Sequence, residues 1–113
     1  MHPLRELVEQ QKKGNKQGMA SCCTANEHVL RAILRHGRGH NAPVLIEATA
    51  NQVNQFGGYT GMHPEDFFHY VMELAREEGV HPDFVLLGGD HLGPLVWCGE
   101  DAEIAMQKAE TLV

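Results

Sequence analysis

Two stretches carry side chains whose type and spacing suit chemistry. The first is Gly88-Gly89-Asp90-His91-Leu92-Gly93-Pro94. An aspartate beside a histidine combines a general acid/base carboxylate (Asp90) with a metal-ligating imidazole (His91). Gly88 and Gly89 let the backbone approach a bound ligand closely. The same residues suit a plain turn, in which the glycines supply geometry and the aspartate bonds backbone N–H groups. Spacing alone leaves both readings open. The second stretch runs from Glu47 to Gly61, EATANQVNQFGGYTG. Its carboxylate, Glu47, stands inside an apolar run. Burying a carboxylate is costly unless it is paired, so Glu47 is a candidate acid/base group. Asn51, Gln52, Asn54 and Gln55 place four neutral amides within five residues. They suit sugar hydroxyls, or else a loop whose amides bond their own backbone.

Weaker signals fall outside these stretches. Cys23, His36 and His40 have the spacing of the second half of a zinc finger, but the first half is missing because Cys22 and Cys23 are adjacent. His36 and His40 read instead as solvated residues at a helix end, among Arg35 and Arg38. Cys22 and Cys23 read as small core residues. His2, His28, His63, His69 and His81 read as surface or capping residues. Neither glycine cluster has a dinucleotide fingerprint or a phosphate-loop lysine, so P-loop kinase chemistry has no support.

The elements that position these residues follow from periodicity. A helix is predicted over 1–11, with Pro3 in its first turn and Leu4, Leu7 and Val8 on one face. A short buried strand is predicted over Met19–Thr24. Asn26 caps a helix carrying Leu30, Ile33 and Leu34, which Gly37 and Gly39 should stop. Val44–Thr49 is the clearest strand, with the near-continuous apolar run of a strand buried in a parallel sheet. A polar loop over 51–62 leads to a helix starting at Pro64, with Phe67, Val71, Leu74 and Ala75 on one stripe and Gly79 at its end. Phe84–Leu87 is predicted as the third strand, 88–94 as its exit loop, and 101–113 as a last helix.

Helix, then strand–helix three times, is the order of an α/β fold built of parallel βαβ units. In such folds working residues lie past the C-terminal ends of strands, which selects Cys22 to Asn26, Glu47 to Gln55 and Gly88 to Pro94. Three strands do not close a barrel, and a (β/α)8 barrel takes about 250 residues. Residues 1–113 are therefore expected to form the N-terminal part of a single TIM-barrel domain: a leading helix and the first three strand–helix units. The alternative is a complete small α/β domain or an obligate oligomer, and open sheet edges make a homo-oligomer an expectation of the isolated chain.

Charge and composition narrow the partners. Nine Lys and Arg against fifteen Asp and Glu give a net charge of −6. That argues against nucleic acid, whose phosphates need a basic face. No apolar run reaches the roughly 20 residues of a membrane span. The first residues lack the apolar core of a secretory signal, and three cysteines cannot all pair internally. Reduced thiols and a cytoplasmic location are the expectation.

The stretches VLIEATANQVNQFGGYTGM and LLGGDHLGP, together with SCCTAN and AMQKAETLV, resemble the Z-subunit family (GatZ/KbaZ type) of D-tagatose-1,6-bisphosphate aldolase. The similarity runs from about Gly18 to Val113. It implies a TIM barrel of which this chain is roughly the first quarter. It also implies a non-catalytic subunit that stabilises a separate zinc-dependent class II aldolase subunit in galactitol or N-acetylgalactosamine catabolism. In class II aldolases an Asp-His pair after the third strand supplies the acid/base carboxylate and one zinc ligand, and Asp90 and His91 match it. The remaining zinc histidines would lie beyond Val113, so Zn2+ is implied with an incomplete site. The alternatives are a metal-dependent class II-like sugar-phosphate aldolase or epimerase, and a sugar-phosphate binding module.

Overall fold

The computed structural model describes residues 2–113. Helix α1 spans Pro3–Lys12, and the His2 Nδ1 accepts a 3.3 Å hydrogen bond from the Leu4 N–H. Met1, placed in this helix by the sequence pattern, lies outside the described residues. None of α1's residues is buried; Leu4 and Val8 remain exposed. Helix α2 spans Glu27–His40, and the Asn26 side chain accepts from the His28 and Val29 N–H groups as expected of a cap. Helix α3 spans Pro64–Glu77 and α4 spans Ala102–Leu112, each opened by an acidic first turn. Short 3₁₀ turns occupy Pro82–Phe84 and Pro94–Trp97.

The sheet holds three parallel strands in the order β1 (Ser21–Cys23), β2 (Val44–Thr49), β3 (Val85–Asp90). Burial along β2 alternates strictly. Val44, Ile46 and Ala48 point into the core with Leu30 and Leu34 of α2 and Phe67, Val71 and Leu74 of α3. Leu45, Glu47 and Thr49 point to the opposite face and are half-buried. The described residues thus form an open mixed α/β sheet, with α2 and α3 covering one face.

Three expectations are corrected. Gly37 and Gly39 do not stop α2; both lie within it, and Asn41 ends it in the left-handed region at φ 49°. Gly37 is instead a point of close approach, since a Cβ there would stand 2.5 Å from the Val44 Cγ1. Strand β3 does not end at Leu87 but continues through Gly88 and Gly89 to Asp90. Low intrinsic strand propensity is overridden there by pairing with Glu47, Ala48 and Thr49. Cys22 and Cys23 are not core residues: Cys22 is half-buried and Cys23 exposed, because β1 is an outer strand of this sheet.

Helices α2 and α3 are also tied by ions. Arg31 reaches Glu27, Glu77 and Glu78, at 2.9, 2.6 and 3.0 Å. Arg35 Nε donates to the Glu78 Oε2 at 2.6 Å, and Arg38 donates to the Glu78 carbonyl at 2.6 Å. The Glu78 side chain is 8% exposed, covered by the arginines themselves. Hydrogen bonds from Arg35, then Arg31, hold its carboxyl at about 2, against 4.5 for a free one. A folded pKa below the unfolded one gives stability that is present above about pH 4.5 and lost as pH falls towards 2. Glu78→Gln is expected to lower stability at neutral pH and to flatten this acid limb. Urea midpoints measured from pH 7 down to pH 3 check both.

Candidate functional site

Register sets the site. Cys23, Glu47 and Gly88 stand side by side across the three strands, and Thr49 pairs with Asp90 one step on. Paired residues in a parallel ladder share a face, and positions two apart share it as well. Cys23, Glu47, Thr49 and Asp90 therefore rise from the face opposite the helical core, at the C-terminal ends of their strands. The sequence predicts Glu47, Asp90 and His91 converging on one cavity; the register puts the two carboxylates on one sheet face, while His91 borders a cavity that neither carboxylate lines. Gly88 lies beside Glu47 in this register, and a Cβ at that position would make van der Waals contact with the Glu47 Cγ at 3.4 Å.

Cys23 joins the two carboxylates. Its Sγ lies 3.8 Å from the Gln52 Oε1. Its thiol pKa is raised, first by partial burial and then by the negative charges of Asp90 and Glu47. A thiol in that setting stays protonated and serves as a donor, not as a nucleophile. The strand-end rule marks the segment 22–26 that holds Cys23, and the β1–β2 register sets its thiol beside Glu47.

His91 departs from the others. It has a positive φ of 51°, and its exposed ring sets Nδ1 2.8 Å from the Asp90 Oδ1. The ring borders a cavity of about 740 Å³ lined also by Thr49, Asn51, Leu95, Cys98 and Met106. Asp90 and His91 are thus partners of each other. Among the described residues no three histidine, cysteine or acidic side chains converge to hold a metal ion. These residues alone do not fit a zinc centre.

The four amides divide. Gln52 Oε1 accepts from the Thr49 N–H at 2.8 Å. Asn54 is buried at 4% exposure; its Nδ2 donates to the Ala50 carbonyl at 2.7 Å, and its Oδ1 accepts from the Phe56 and Gly58 N–H groups at 2.8 and 3.3 Å. Gln55 Nε2 donates to the Lys108 carbonyl at 2.9 Å, which ties the loop to α4. Its Oε1 is buried without a partner. Asn51 is exposed and borders the cavity. Gly58 completes the loop at φ +55°, where a Cβ would collide with the Gln52 carbonyl. The loop is therefore a closed, self-bonded scaffold that leaves Asn51 at the rim.

The fold and this rim define the class: a parallel α/β protein whose polar residues gather at the strand ends. The chain belongs to the D-tagatose-1,6-bisphosphate aldolase subunit GatZ/KbaZ-like family, whose profile matches residues 4–113. It is 46% identical over 110 residues to the D-tagatose-1,6-bisphosphate aldolase subunit GatZ of Klebsiella pneumoniae subsp. pneumoniae, and equally to that of Escherichia coli strain SMS-3-5. Each match covers 97% of this chain and 26% of the relative, so the chain spans about a quarter of the length of the curated relatives it matches. A crystal structure described as a probable tagatose 6 phosphate kinase from Sinorhizobium meliloti 1021 superimposes with a TM-score of 0.81 at 49% identity. That match covers 85% of this chain and 25% of the other. No described helix is long and apolar enough to cross a membrane.

Proposed function

We propose that the protein is an accessory subunit of a tagatose-1,6-bisphosphate aldolase, stabilising a separate class II catalytic subunit in the cytoplasm during galactitol or N-acetylgalactosamine catabolism. Membership of a family described as an aldolase subunit is the observation that carries this reading. On it, residues 1–113 are the N-terminal part of a TIM-barrel domain, and the open outer edges of β1 and β3 are where further strands pair.

The rim supports a sugar-phosphate role in the same protein. Glu47 and Asp90 present two carboxylates from neighbouring strands to one face. In this reading they accept hydrogen bonds from substrate hydroxyls, with Asn51 beside them at the rim, while the Cys23 thiol, which donates to the Gln52 Oε1, stands by the carboxylates as a neutral group. Gly88 keeps the β3 backbone bare on the ligand's face, whereas Gly89 faces the other side of the sheet, against Leu92. The paired carboxylates also favour a second reading, a class II-like aldolase or epimerase in which Asp90 moves the proton.

The test is the lifetime of the partner. A catalytic class II subunit that binds the accessory only when folded gains stability as the logarithm of accessory concentration over its Kd. At a concentration of 100 Kd the gain is about 2.7 kcal/mol. Thermal inactivation of the catalytic subunit is expected to slow progressively as the full-length accessory is titrated in. An unchanged half-life at saturating accessory removes the proposed role.

A further inference from the structure

We propose that His36 and His40, near the C-terminal end of α2, form a chelating site for a late first-row divalent cation of the nickel–copper–zinc group. This site is separate from the rim and does not rest on the aldolase reading. Histidines four apart lie on one helix face, the spacing that lets two imidazoles grip one metal ion. Here the rings already meet, with centroids 4.2 Å apart and planes tilted by 35°. Both side chains are exposed, so no rearrangement of the core is needed to admit an ion.

A second observation fixes the chemistry of one ligand. His40 Nδ1 lies 2.9 Å from the His36 carbonyl oxygen. That carbonyl only accepts, so Nδ1 carries the proton and donates. The lone pair of a neutral His40 ring is then on Nε2, free to bind metal. An imidazole whose other nitrogen donates to a backbone carbonyl is the usual arrangement of a metal-ligating histidine, because the bond fixes both tautomer and ring orientation.

The surrounding charge permits a cation. The last turn of α2 carries the negative end of the helix dipole. Arg35 and Arg38 stand nearby, but their guanidinium groups are committed to Glu78, at its carboxylate and its carbonyl. They point towards α3. Imidazole nitrogen suits nickel, copper and zinc, while calcium and magnesium prefer oxygen. Two protein ligands leave the remaining coordination positions to water.

The experiment titrates the full-length protein with Ni2+ and, separately, with Cu2+. Binding is read by calorimetry, and nitrogen coordination of Cu2+ by electron paramagnetic resonance. His36→Gln and His40→Gln are each expected to weaken one binding equivalent by more than about tenfold and to remove the two-imidazole signature. His63→Gln, outside the pair, is expected to retain both. Ni2+ is expected to raise the melting temperature of the wild-type protein and not that of His40→Gln. Equal affinity and an unchanged spectrum in both pair variants, or no binding equivalent that either variant removes, would overturn the proposal.

Discussion

Asn54→Ala is expected to destabilise the full-length protein by about 2–4 kcal/mol, the larger of the two effects on stability that the structure predicts. Asn54 is the hub of the loop after β2. Its amide meets the Ala50 carbonyl and the Phe56 and Gly58 N–H groups, and the residue is 4% exposed. Alanine removes all three bonds at once and offers no replacement. Each hydrogen bond contributes about 1 kcal/mol, and more where the abandoned group stays out of reach of water. Alanine also leaves space in a loop whose Gly57 and Gly58 adopt positive φ, so collapse around it is restricted. Asn51→Ala, three residues earlier and exposed, is expected to change stability by less than about 0.5 kcal/mol. Urea unfolding of the two variants beside the wild type separates scaffold from rim. Equal stability of Asn54→Ala and wild type would show that the loop is not held as described.

That contrast also marks what could be read from residues alone. Periodicity located the four described helices, and in α2 and α3 the repeating Leu30 and Leu34, and Phe67, Val71 and Leu74, are buried, whereas the apolar face of α1 is not. Asn26 announced its cap, and the apolar run of β2 announced a strand buried on both faces, of which the described residues fully bury only the one carrying Val44, Ile46 and Ala48. Composition could not show that Gly88 and Gly89 are strand residues, since their pairing with Glu47 and Ala48 is long-range. Nor could it show that Gly37 is a packing contact with Val44 instead of a helix stop. All three glycines carry meaning only once a neighbour has arrived.

The site divides along the same line. Glu47 and Asp90 were legible as residues, because a carboxylate at an apolar strand and an Asp-His pair among glycines are local signals. Their shared face is a consequence of register, and register also brings in Cys23, whose segment the strand-end rule marked without giving the thiol a role. The amide cluster misleads in the opposite sense. Four amides in five residues look like one binding surface, yet Gln52, Asn54 and Gln55 bond within the loop or to α4, and Asn51 stands at the rim. The Arg31–Arg35–Glu78 network was equally silent, because its partners are more than forty residues apart.

Turnover of tagatose 1,6-bisphosphate, measured with the full-length protein alone, the catalytic class II subunit alone, and the two mixed, tests the accessory reading most directly. An accessory subunit leaves the first reaction at background with or without added Zn2+ and raises the third above the second. Asp90→Ala in the accessory is expected to leave the mixed reaction's dependence on Zn2+ unchanged, since the proton transfer belongs to the partner. If Asp90 were instead the general acid or base, its loss would reduce turnover by roughly 10²–10⁴-fold. The account predicts background cleavage by the protein alone and a gain on mixing. Zinc-dependent cleavage by the protein alone, abolished by Asp90→Ala and His91→Ala, would contradict it.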